Sequence, residues 1–364
     1  MKRDSSAPDM PRFDVLLNPP DLRPWLAGDN GFPGGIPGVV TRGSARPGLH
    51  VALLSLTHGN EISGAIVLDR LLRAGLRPTR GRISFTFVNT AAFARFDPRH
   101  PTFSRFLDED INRLWDEALL NAPRHSSELD RARELLPLIE TADVILDLHS
   151  MLWPSDPLIL CGTTDRGQAL ARAIGWPPLV VADEGHANGR RLIDHTRFLR
   201  TGATALLVEA GQHWHPDTVD SAMASVAGLL RHLDMVDAGA PLPPPPPPET
   251  PVRFVRVTDA VVARTSAFAF TKAWYGGEVV EKRDTLIATD GLTEIRTPYD
   301  DCLLVMPSLR PGRGHTAVRL GRFPSVEEAA GVEEEAGSGG QEGIRGCDQG
   351  GVRGRVGRLN QSTG

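Results

Sequence analysis

The feature that most constrains the fold is an alternation of short apolar stretches with amphipathic ones between residues 50 and 236. The apolar stretches suit buried strands, whereas the others repeat their apolar residues with the period of an α-helix. The predicted strands cover 50–56, 82–89, 143–148, 157–161, 178–182 and 204–209, and the predicted helices cover 62–74, 127–140, 166–174 and 217–235. Buried strands between helices predict an α/β fold with a mixed, mainly parallel sheet flanked by helices.

Changes in composition divide the chain into five segments. Residues 1–48 are rich in proline and glycine, which indicates an irregular segment packed on the body. Residues 49–238 form the predicted α/β catalytic domain, and a proline-rich linker follows at 239–250. Residues 251–324 carry β-branched residues and turn signals, which predicts a small C-terminal β-domain. Residues 325–364 are rich in glycine and glutamate, which predicts a disordered tail.

The linker contains six consecutive prolines after Leu242. Such a tract adopts an extended polyproline II conformation and acts as a semi-rigid spacer. It could also bind an SH3-type partner. We prefer the spacer because the tract joins two segments that both have the composition of folded chain.

Composition excludes several classes of function. The net charge of −5 gives no basic surplus for binding nucleic acid. No apolar run approaches the roughly 18 residues of a membrane span, so we expect no membrane partner. Three scattered cysteines form no disulfide framework, and the N-terminal residues lack the apolar stretch of a signal peptide. These observations predict a cytoplasmic protein.

Three side chains of the kind that bind metal lie where predicted strands end. His58 and Glu61 follow one strand, in His58-Gly-Asn-Glu61, and His149 follows another. The carboxyl ends of parallel strands gather ligands at one edge of a sheet. A His2Glu set with one open position is how catalytic zinc is held, so we expect one zinc ion per chain. Each histidine could instead be a buried side chain bonded to backbone, and the same donors also bind cobalt, manganese or nickel.

Four short motifs occur in a characteristic order: His58-Gly-Asn-Glu61, Asp110-Ile-Asn-Arg113, Asp147-Leu-His149 and Glu209-Ala-Gly211. In this order, over about residues 50–215, they resemble the signature of the succinylglutamate desuccinylase/aspartoacylase family. The resemblance implies a zinc-carboxypeptidase-like fold, with the C-terminal β-domain as the second half. It also implies zinc-dependent hydrolysis of the amide bond of an N-acyl amino acid.

The resemblance further assigns roles outside the metal set. It makes Glu209 the general acid/base, Arg105 the group that polarises the scissile carbonyl, and Asn112 with Arg113 the substrate-binding pair. The chemistry suits these roles, because a carboxylate can move protons and a guanidinium can stabilise an oxyanion or bind a carboxylate. Glu209 could instead be a surface residue that begins a loop, and each arginine could form a surface ion pair.

Other side chains near the motifs are less definite. Asp147 would point to the same side of a strand as His149, and it either supports that ligand or stabilises the fold. Asp110 is predicted to orient the arginine of its own motif. His213 and His215 alternate along the chain and could bind metal, but we prefer a solvated loop.

The sequence departs from the family at one point. Members that act on acyl-aspartate use a further tyrosine and arginine upstream of the catalytic glutamate. The tyrosines of this chain are Tyr275 and Tyr299, in the β-domain, and Tyr299 is a candidate to reach the site. Upstream of the glutamate lie His195, Arg197 and Arg200, and spacing singles out neither arginine. The identity of the substrate therefore stays open.

Two rival functions follow from the same sequence. The first is peptide hydrolysis by a metallocarboxypeptidase-type site, against which the β-domain argues because it could cap the cleft. The second is a non-catalytic metal-binding protein that recruits partners through its proline tract and tail. The presence of every expected ligand type argues against the second. We expect a small-molecule N-acyl amino acid as partner, and a homo-oligomer is compatible with the sequence.

Overall fold

The computed structural model describes residues 13–27, 30–185, 188–245 and 251–324. Its strands are β1 (Val39–Gly43), β2 (His50–Ser55), β3 (Arg82–Phe87), β4 (Val144–Met151), β5 (Leu158–Leu160), β6 (Leu179–Ala182), β7 (Thr204–Gln212), β8 (Arg253–Val262), β9 (Phe268–Phe270), β10 (Val279–Val280), β11 (Leu286–Asp290), β12 (Thr293–Arg296), β13 (Cys302–Val305) and β14 (Thr316–Arg322). Its helices are α1 (Ile62–Arg73), α2 (Thr90–Phe93), α3 (Glu117–Leu120), α4 (Ser127–Thr141), α5 (Asp165–Ile174), α6 (Thr196–Arg200) and α7 (Pro216–His232). Within these ranges no helix combines the length and apolar character needed to cross a membrane.

Eleven strands form one sheet in the order β1-β3-β2-β4-β7-β5-β6-β8-β14-β13-β10. Strands β3, β2, β4 and β7 are parallel to their neighbours in this order, whereas β5 is antiparallel to β7 and parallel to β6. Strand β1 is antiparallel to β3 at one end of the sheet, and β14 is antiparallel to both β8 and β13 towards the other end. The predicted mixed, mainly parallel sheet of an α/β fold is therefore confirmed.

The central strands are apolar on both faces because helices cover both. Strand β2 is buried along its whole length. Val51 and Leu53 pack into one core with helices α1, α5 and α7, whereas Ala52 and Leu54 pack into a second core with α4. This two-sided burial explains why the sequence shows continuous apolar runs rather than alternation. All six predicted strands and all four predicted helices are present.

Two of the strands that carry the motifs, β4 and β7, end later than predicted. Strand β4 runs to Met151 rather than to residue 148, and β7 runs to Gln212 rather than to residue 209. Because β2, β4 and β7 are parallel neighbours, their carboxyl ends meet at one edge of the sheet. The predicted chemistry therefore comes together at this edge.

The C-terminal β-region, residues 251–324, contains strands β8–β14. Strand β8 pairs in parallel with β6, so the large sheet continues from the α/β region into this one. Strands β9, β11 and β12 form a separate small antiparallel sheet. Contacts group the chain up to Phe323 as one compact unit. The five domain boundaries stay predictions, and residues 1–12, 246–250 and 325–364 lie outside the described residues.

Candidate metal centre

The turn after β2 brings two of the predicted ligands together. The backbone N–H of Glu61 donates to the carbonyl oxygen of His58 at 3.1 Å, which closes the turn directly before α1. Gly59 lies inside this turn, and a Cβ atom there would stand 2.5 Å from both the Phe93 nitrogen and the Ser104 oxygen. Only glycine fits so close an approach of backbone. The turn thus places the side chains of His58 and Glu61 on the same side, as their spacing in the sequence predicts.

Strand β4 adds the third predicted ligand. Nδ1 of His58 lies 2.7 Å from Oε1 of Glu61, and Nδ1 of His149 lies 3.0 Å from Oε2 of the same carboxylate. One donor atom from each of the three residues lies within 4.8 Å of the others. The three side chains are also almost fully buried. We call these three residues the His-Glu-His cluster.

A carboxylate stands behind each imidazole of the cluster. Nε2 of His149 lies 2.8 Å from Oδ2 of Asp147, whose Oδ1 accepts a 2.8 Å hydrogen bond from the hydroxyl of Thr57. Nε2 of His58 lies 3.0 Å from Oδ1 of Asp110. Such carboxylates fix the orientation of a ligating ring and raise its basicity. Asp147 thus contacts the predicted ligand His149, and whether it supports that ligand or stabilises the fold stays a prediction.

Asp110 contacts the cluster more closely than it contacts the arginine of its own motif. Its Oδ2 lies 3.4 Å from Nη2 of Arg105 but 4.0 Å from Nη2 of Arg113. Its closest side-chain partner at the site is the His58 ring. Asp110 therefore holds the cluster and Arg105 together, in addition to the predicted role beside Arg113.

The donor set fits a divalent cation. Burial by itself raises the pKa of Glu61, but the neighbouring rings of His58 and His149 lower it well below the usual value. The carboxylate is therefore ionised, buried and flanked by two ring nitrogens. Two imidazoles and one carboxylate, all removed from water, are ligands that zinc and similar divalent ions prefer. The His-Glu-His cluster can hold such an ion.

Glu209 lies beside the cluster, within β7 and directly opposite His149 in the sheet register. Its Oε2 is buried and meets no hydrogen-bond partner among the described residues. Burial raises the pKa of Glu209 to about 8, although the nearby charges of His149 and Arg105 act in the opposite direction. A carboxyl group with an unpaired oxygen and a pKa near neutrality is suited to proton transfer.

Arg105 reaches the cluster from the loop that precedes Asp110. Its Nη1 donates to Oε1 of Glu61 at 3.1 Å, and its Nη2 lies 2.9 Å from Nε2 of His58. The ion pairs of Arg105 are therefore made with site carboxylates, Glu61 and Asp110, rather than with surface residues.

A cavity of about 170 Å³ opens onto the cluster. Its polar lining consists of His58, Glu61, Arg105, Ser150, Ser155, Glu209, His213 and Ser308. Its apolar lining consists of Met151, Leu152, Trp153, Met306 and Pro307. A larger hollow of about 600 Å³, bordered by Asp116, Arg190 and Asp194, contains none of the predicted ligands. The chemistry therefore points to the smaller cavity.

Asn112 and Arg113 are not part of the cavity lining. Oδ1 of Asn112 accepts a 2.9 Å hydrogen bond from the backbone N–H of Leu192. The Arg113 side chain keeps 24% of its surface exposed, and its Nη1 donates to the Asn112 carbonyl oxygen at 2.7 Å. Burial lowers the pKa of Arg113 to about 10, although the charge of Asp110 opposes this change. Their part in substrate binding stays a prediction.

His213 is a site residue that the sequence interpretation missed. It is 5% exposed and lines the cavity, so the predicted solvated loop is wrong for this residue. The predicted solvated loop fits His215, whose side chain is 48% exposed. His213 directly follows β7, the strand that carries Glu209, and this closeness in sequence is the signal that the sequence offers.

The residues considered for the amino-acid side of the substrate lie elsewhere. Nη2 of Arg197 donates to the carbonyl oxygen of Ala142, and the Tyr299 hydroxyl lies 2.7 Å from Oγ1 of Thr258. Neither Arg197 nor Tyr299 is part of the cavity lining, and the same is true of His195 and Arg200.

A buried ionic network lies beside Arg113 instead. Nη2 of Arg191 lies 2.6 Å from Oδ1 of Asp183, and Nε of Arg319 lies 3.3 Å from Oδ2 of the same aspartate. The three side chains are at most 5% exposed. We call them the Asp183 network. It joins the segment after β6 to β14.

The sheet and the buried cluster at its edge define the class, an α/β protein with a mixed, mainly parallel sheet and a site that can hold a metal ion. The model of the succinylglutamate desuccinylase/aspartoacylase catalytic domain matches residues 47–233. The chain therefore belongs to the succinylglutamate desuccinylase/aspartoacylase family. No curated protein matches it.

Solved structures share the fold. A succinylglutamate desuccinylase/aspartoacylase from Rhodobacter sphaeroides has a TM-score of 0.58 at 20% identity, over 80% of this chain and 90% of that one. A succinylglutamate desuccinylase from Vibrio parahaemolyticus has a TM-score of 0.60 at 18% identity, over 79% and 87%. A product-bound structure of the ectoine utilization protein EutE (DoeB) from Ruegeria pomeroyi has a TM-score of 0.53 at 16% identity, over 78% and 87%.

Proposed function

We propose that this protein is a zinc-dependent hydrolase that cleaves the amide bond of an N-acyl amino acid into a carboxylate and an amine. The observation that carries the proposal is the position of Glu209. Its unpaired Oε2 lies next to a buried cluster whose donors fit a divalent cation. Amide hydrolysis needs such a pairing, because water must lose a proton and the leaving nitrogen must gain one.

A zinc ion held by the His-Glu-His cluster would supply a Lewis acid that polarises the amide carbonyl and makes water more acidic. Glu209 accepts the proton of the attacking water and then delivers it to the leaving nitrogen. Its pKa, raised to about 8 by burial, allows both protonation states near neutral pH. Arg105 points a guanidinium at the same site and stabilises the negative charge that develops on the carbonyl oxygen.

Arg113 and Asn112 complete the proposal as the anchor for a substrate carboxylate. The Arg113 guanidinium is partly exposed, and the Asn112 amide group has no hydrogen-bond partner on its nitrogen within the described part of the chain. A guanidinium and an amide donor are well suited to binding a carboxylate. Nη2 of Arg113 lies 4.0 Å from Oδ2 of Asp110, whose Oδ1 contacts the His58 ring, so a carboxylate bound by this pair would be held close to the cluster.

The size of the cavity favours a small amide over a peptide. A volume of about 170 Å³ matches a short acyl group. Met306, Pro307 and Ser308 of the C-terminal β-region form part of its lining. These residues support the small-molecule proposal against the metallocarboxypeptidase-type alternative.

Cysteine chemistry supports a cytoplasmic location. Cys161 and Cys302 are buried free thiols, and a reducing compartment preserves such groups. We include this location in the proposal.

Metal content is the first test. Purified wild type should contain about one zinc ion per chain, and His149→Ala should lose it, because the site has only three protein ligands. His215→Ala is the matched control, since His215 is an exposed histidine close in sequence to the site. The three proteins are then assayed on panels of N-acyl amino acids and of peptides. A folded wild type that takes up no metal, or cleaves only peptides, would contradict the proposal.

A further inference from the structure

The position of His213 is fixed from several directions. Its backbone N–H donates to the carbonyl oxygen of Met151 at 2.7 Å, just beyond the ends of β4 and β7. Its ring centroid lies 5.0 Å from that of Trp214. The indole N–H of Trp214 in turn donates to the Asn60 carbonyl oxygen at 2.9 Å, within the turn that carries two ligands. His213 is thus tied to the metal centre through rigid neighbours.

Ser150 determines which ring nitrogen of His213 carries the proton. Its hydroxyl lies 2.7 Å from Nδ1 of His213, and its backbone N–H donates to Oε2 of Glu61 at 3.1 Å. No other acceptor for this hydroxyl exists among the described residues. A buried hydroxyl left without an acceptor is costly, which favours donation from the Ser150 O–H to Nδ1. The proton of the neutral ring is then on Nε2.

The ring stays neutral at physiological pH. Burial, together with the charges of Arg105, His58 and His149, lowers the pKa of His213 to about 4, although Glu61 opposes this change. Nε2 meets no hydrogen-bond partner in the described ranges, and the ring belongs to the cavity lining. The site therefore contains one uncharged N–H donor that no protein group uses.

We propose that Nε2–H of His213 donates a hydrogen bond to the scissile carbonyl oxygen of the substrate, and that Ser150 is the positioning residue that keeps this donor in place. The inference rests on the proposed amide hydrolysis. A neutral donor stabilises a developing oxyanion without placing another positive charge beside Arg105 and a bound cation. A donor held in place before the reaction also needs no rearrangement during it.

Two substitutions of different hydrogen-bonding capacity test the donor. His213→Met fills a similar volume without a donor, whereas His213→Gln keeps an N–H close to the position of Nε2. Loss of one oxyanion donor lowers kcat by about 10²–10³-fold, so we expect that loss in His213→Met with KM nearly unchanged. His213→Gln should recover a large part of it, and both variants should keep their metal. A rise in KM with unchanged kcat, or loss of metal, would overturn the proposal.

The tautomer is tested separately from activity. In protein with ¹⁵N-labelled histidine, the His213 signal is assigned by its absence from His213→Gln. We expect protonated Nε2 and bare Nδ1 from pH 7 to about pH 5, and a mixture of tautomers in Ser150→Ala. Protonated Nδ1 in wild type would overturn the inference. If wild type cleaves no N-acyl amino acid, the proposed function fails, and the scissile-carbonyl role fails with it. The tautomer result then decides only whether the neutral donor exists.

Discussion

The polar and apolar linings of the cavity are built in different ways. Glu61 of the polar lining lies within hydrogen-bonding distance of His58, His149, Arg105 and the Ser150 backbone, so each neighbour restricts the others. The apolar lining, which includes Met306, contributes no charged group and is held by packing. Met306 itself follows β13 with a φ of +48°, which is unusual for a residue with a side chain.

The comparison indicates that the polar and apolar linings have different functions. Groups that move protons or hold a cation need fixed distances, which networks of hydrogen bonds provide. Groups that select a substrate by shape need only a surface of the right volume. Substitutions in the polar lining should therefore abolish the reaction, whereas substitutions in the apolar lining should change which substrate reacts.

The largest effect is expected at Glu209. Glu209→Gln keeps the shape of the side chain but cannot accept a proton, so kcat should fall by about 10²–10⁴-fold. Metal content should equal that of wild type, since Glu209 is not part of the His-Glu-His cluster. The measurement is kcat together with metal analysis. Near-normal turnover would show that the polar lining does not act through this residue.

The pH profile of wild type provides the control for this substitution. A general base works when ionised, so kcat/KM should rise with pH and level off above the pKa of Glu209. Burial raises this pKa to about 8 in the metal-free chain. A bound cation lowers the pKa, so kcat/KM rises at a lower pH but still rises with pH. The residual kcat/KM of Glu209→Gln should not show this rise with pH.

The next largest effect is expected on stability, in the Asp183 network, which joins the segment after β6 to β14 of the C-terminal β-region. Asp183→Asn removes the carboxylate that Arg191 and Arg319 share. Breaking a buried ion pair by removing one partner costs about 3–5 kcal/mol, so the free energy of unfolding should fall by that order. Denaturant titration measures it. Glu294→Gln is the control, because its ion pair with Arg296 is exposed and should contribute less than about 1 kcal/mol. Equal losses of unfolding free energy in Asp183→Asn and Glu294→Gln would contradict a stabilising role for the Asp183 network.

A smaller effect is expected at Asp147, which contacts the predicted ligand His149 without being part of the His-Glu-His cluster. Asp147→Asn keeps the size of the side chain but weakens its hold on Nε2 of His149. Loss of such a supporting carboxylate typically lowers metal affinity by about 10–100-fold. Competition with a chelator measures the affinity, and Thr57→Val, which removes a hydrogen bond to Asp147, should show a weaker effect of the same sign. Unchanged affinity in Asp147→Asn would mean that the fold alone orients the ring.

Sequence reasoning located the cluster because its signals are local. Apolar runs identify β2 and β4, and the short distance from His58 to Glu61 requires the turn that Gly59 allows. Parallel neighbours then bring His149 to the same edge. Each step depends on residues close in the chain, or on a rule that holds for parallel sheets in general.

The missed contacts depend on distant parts of the chain. His213 is buried because β7 continues to Gln212 and the next residues fold back against Met151. Asp110 reaches His58 across 52 positions of sequence, and β8 joins the large sheet through β6. Such pairings are decided by packing of whole elements, and no local pattern in one sequence specifies them.

The smallest effect is expected in the apolar lining. It tests most directly whether the polar and apolar linings have different functions. Met306→Ala enlarges the cavity without removing a polar group, so kcat/KM for the shortest acyl substrates should fall by less than about tenfold while longer acyl groups gain. Met306→Leu is the control, because it nearly conserves volume and should leave the preference unchanged. The measurement is kcat/KM across a series of N-acyl amino acids that differ only in acyl length. A uniform fall across the series would mean that Met306 supports the polar lining, and that the two linings act as one unit.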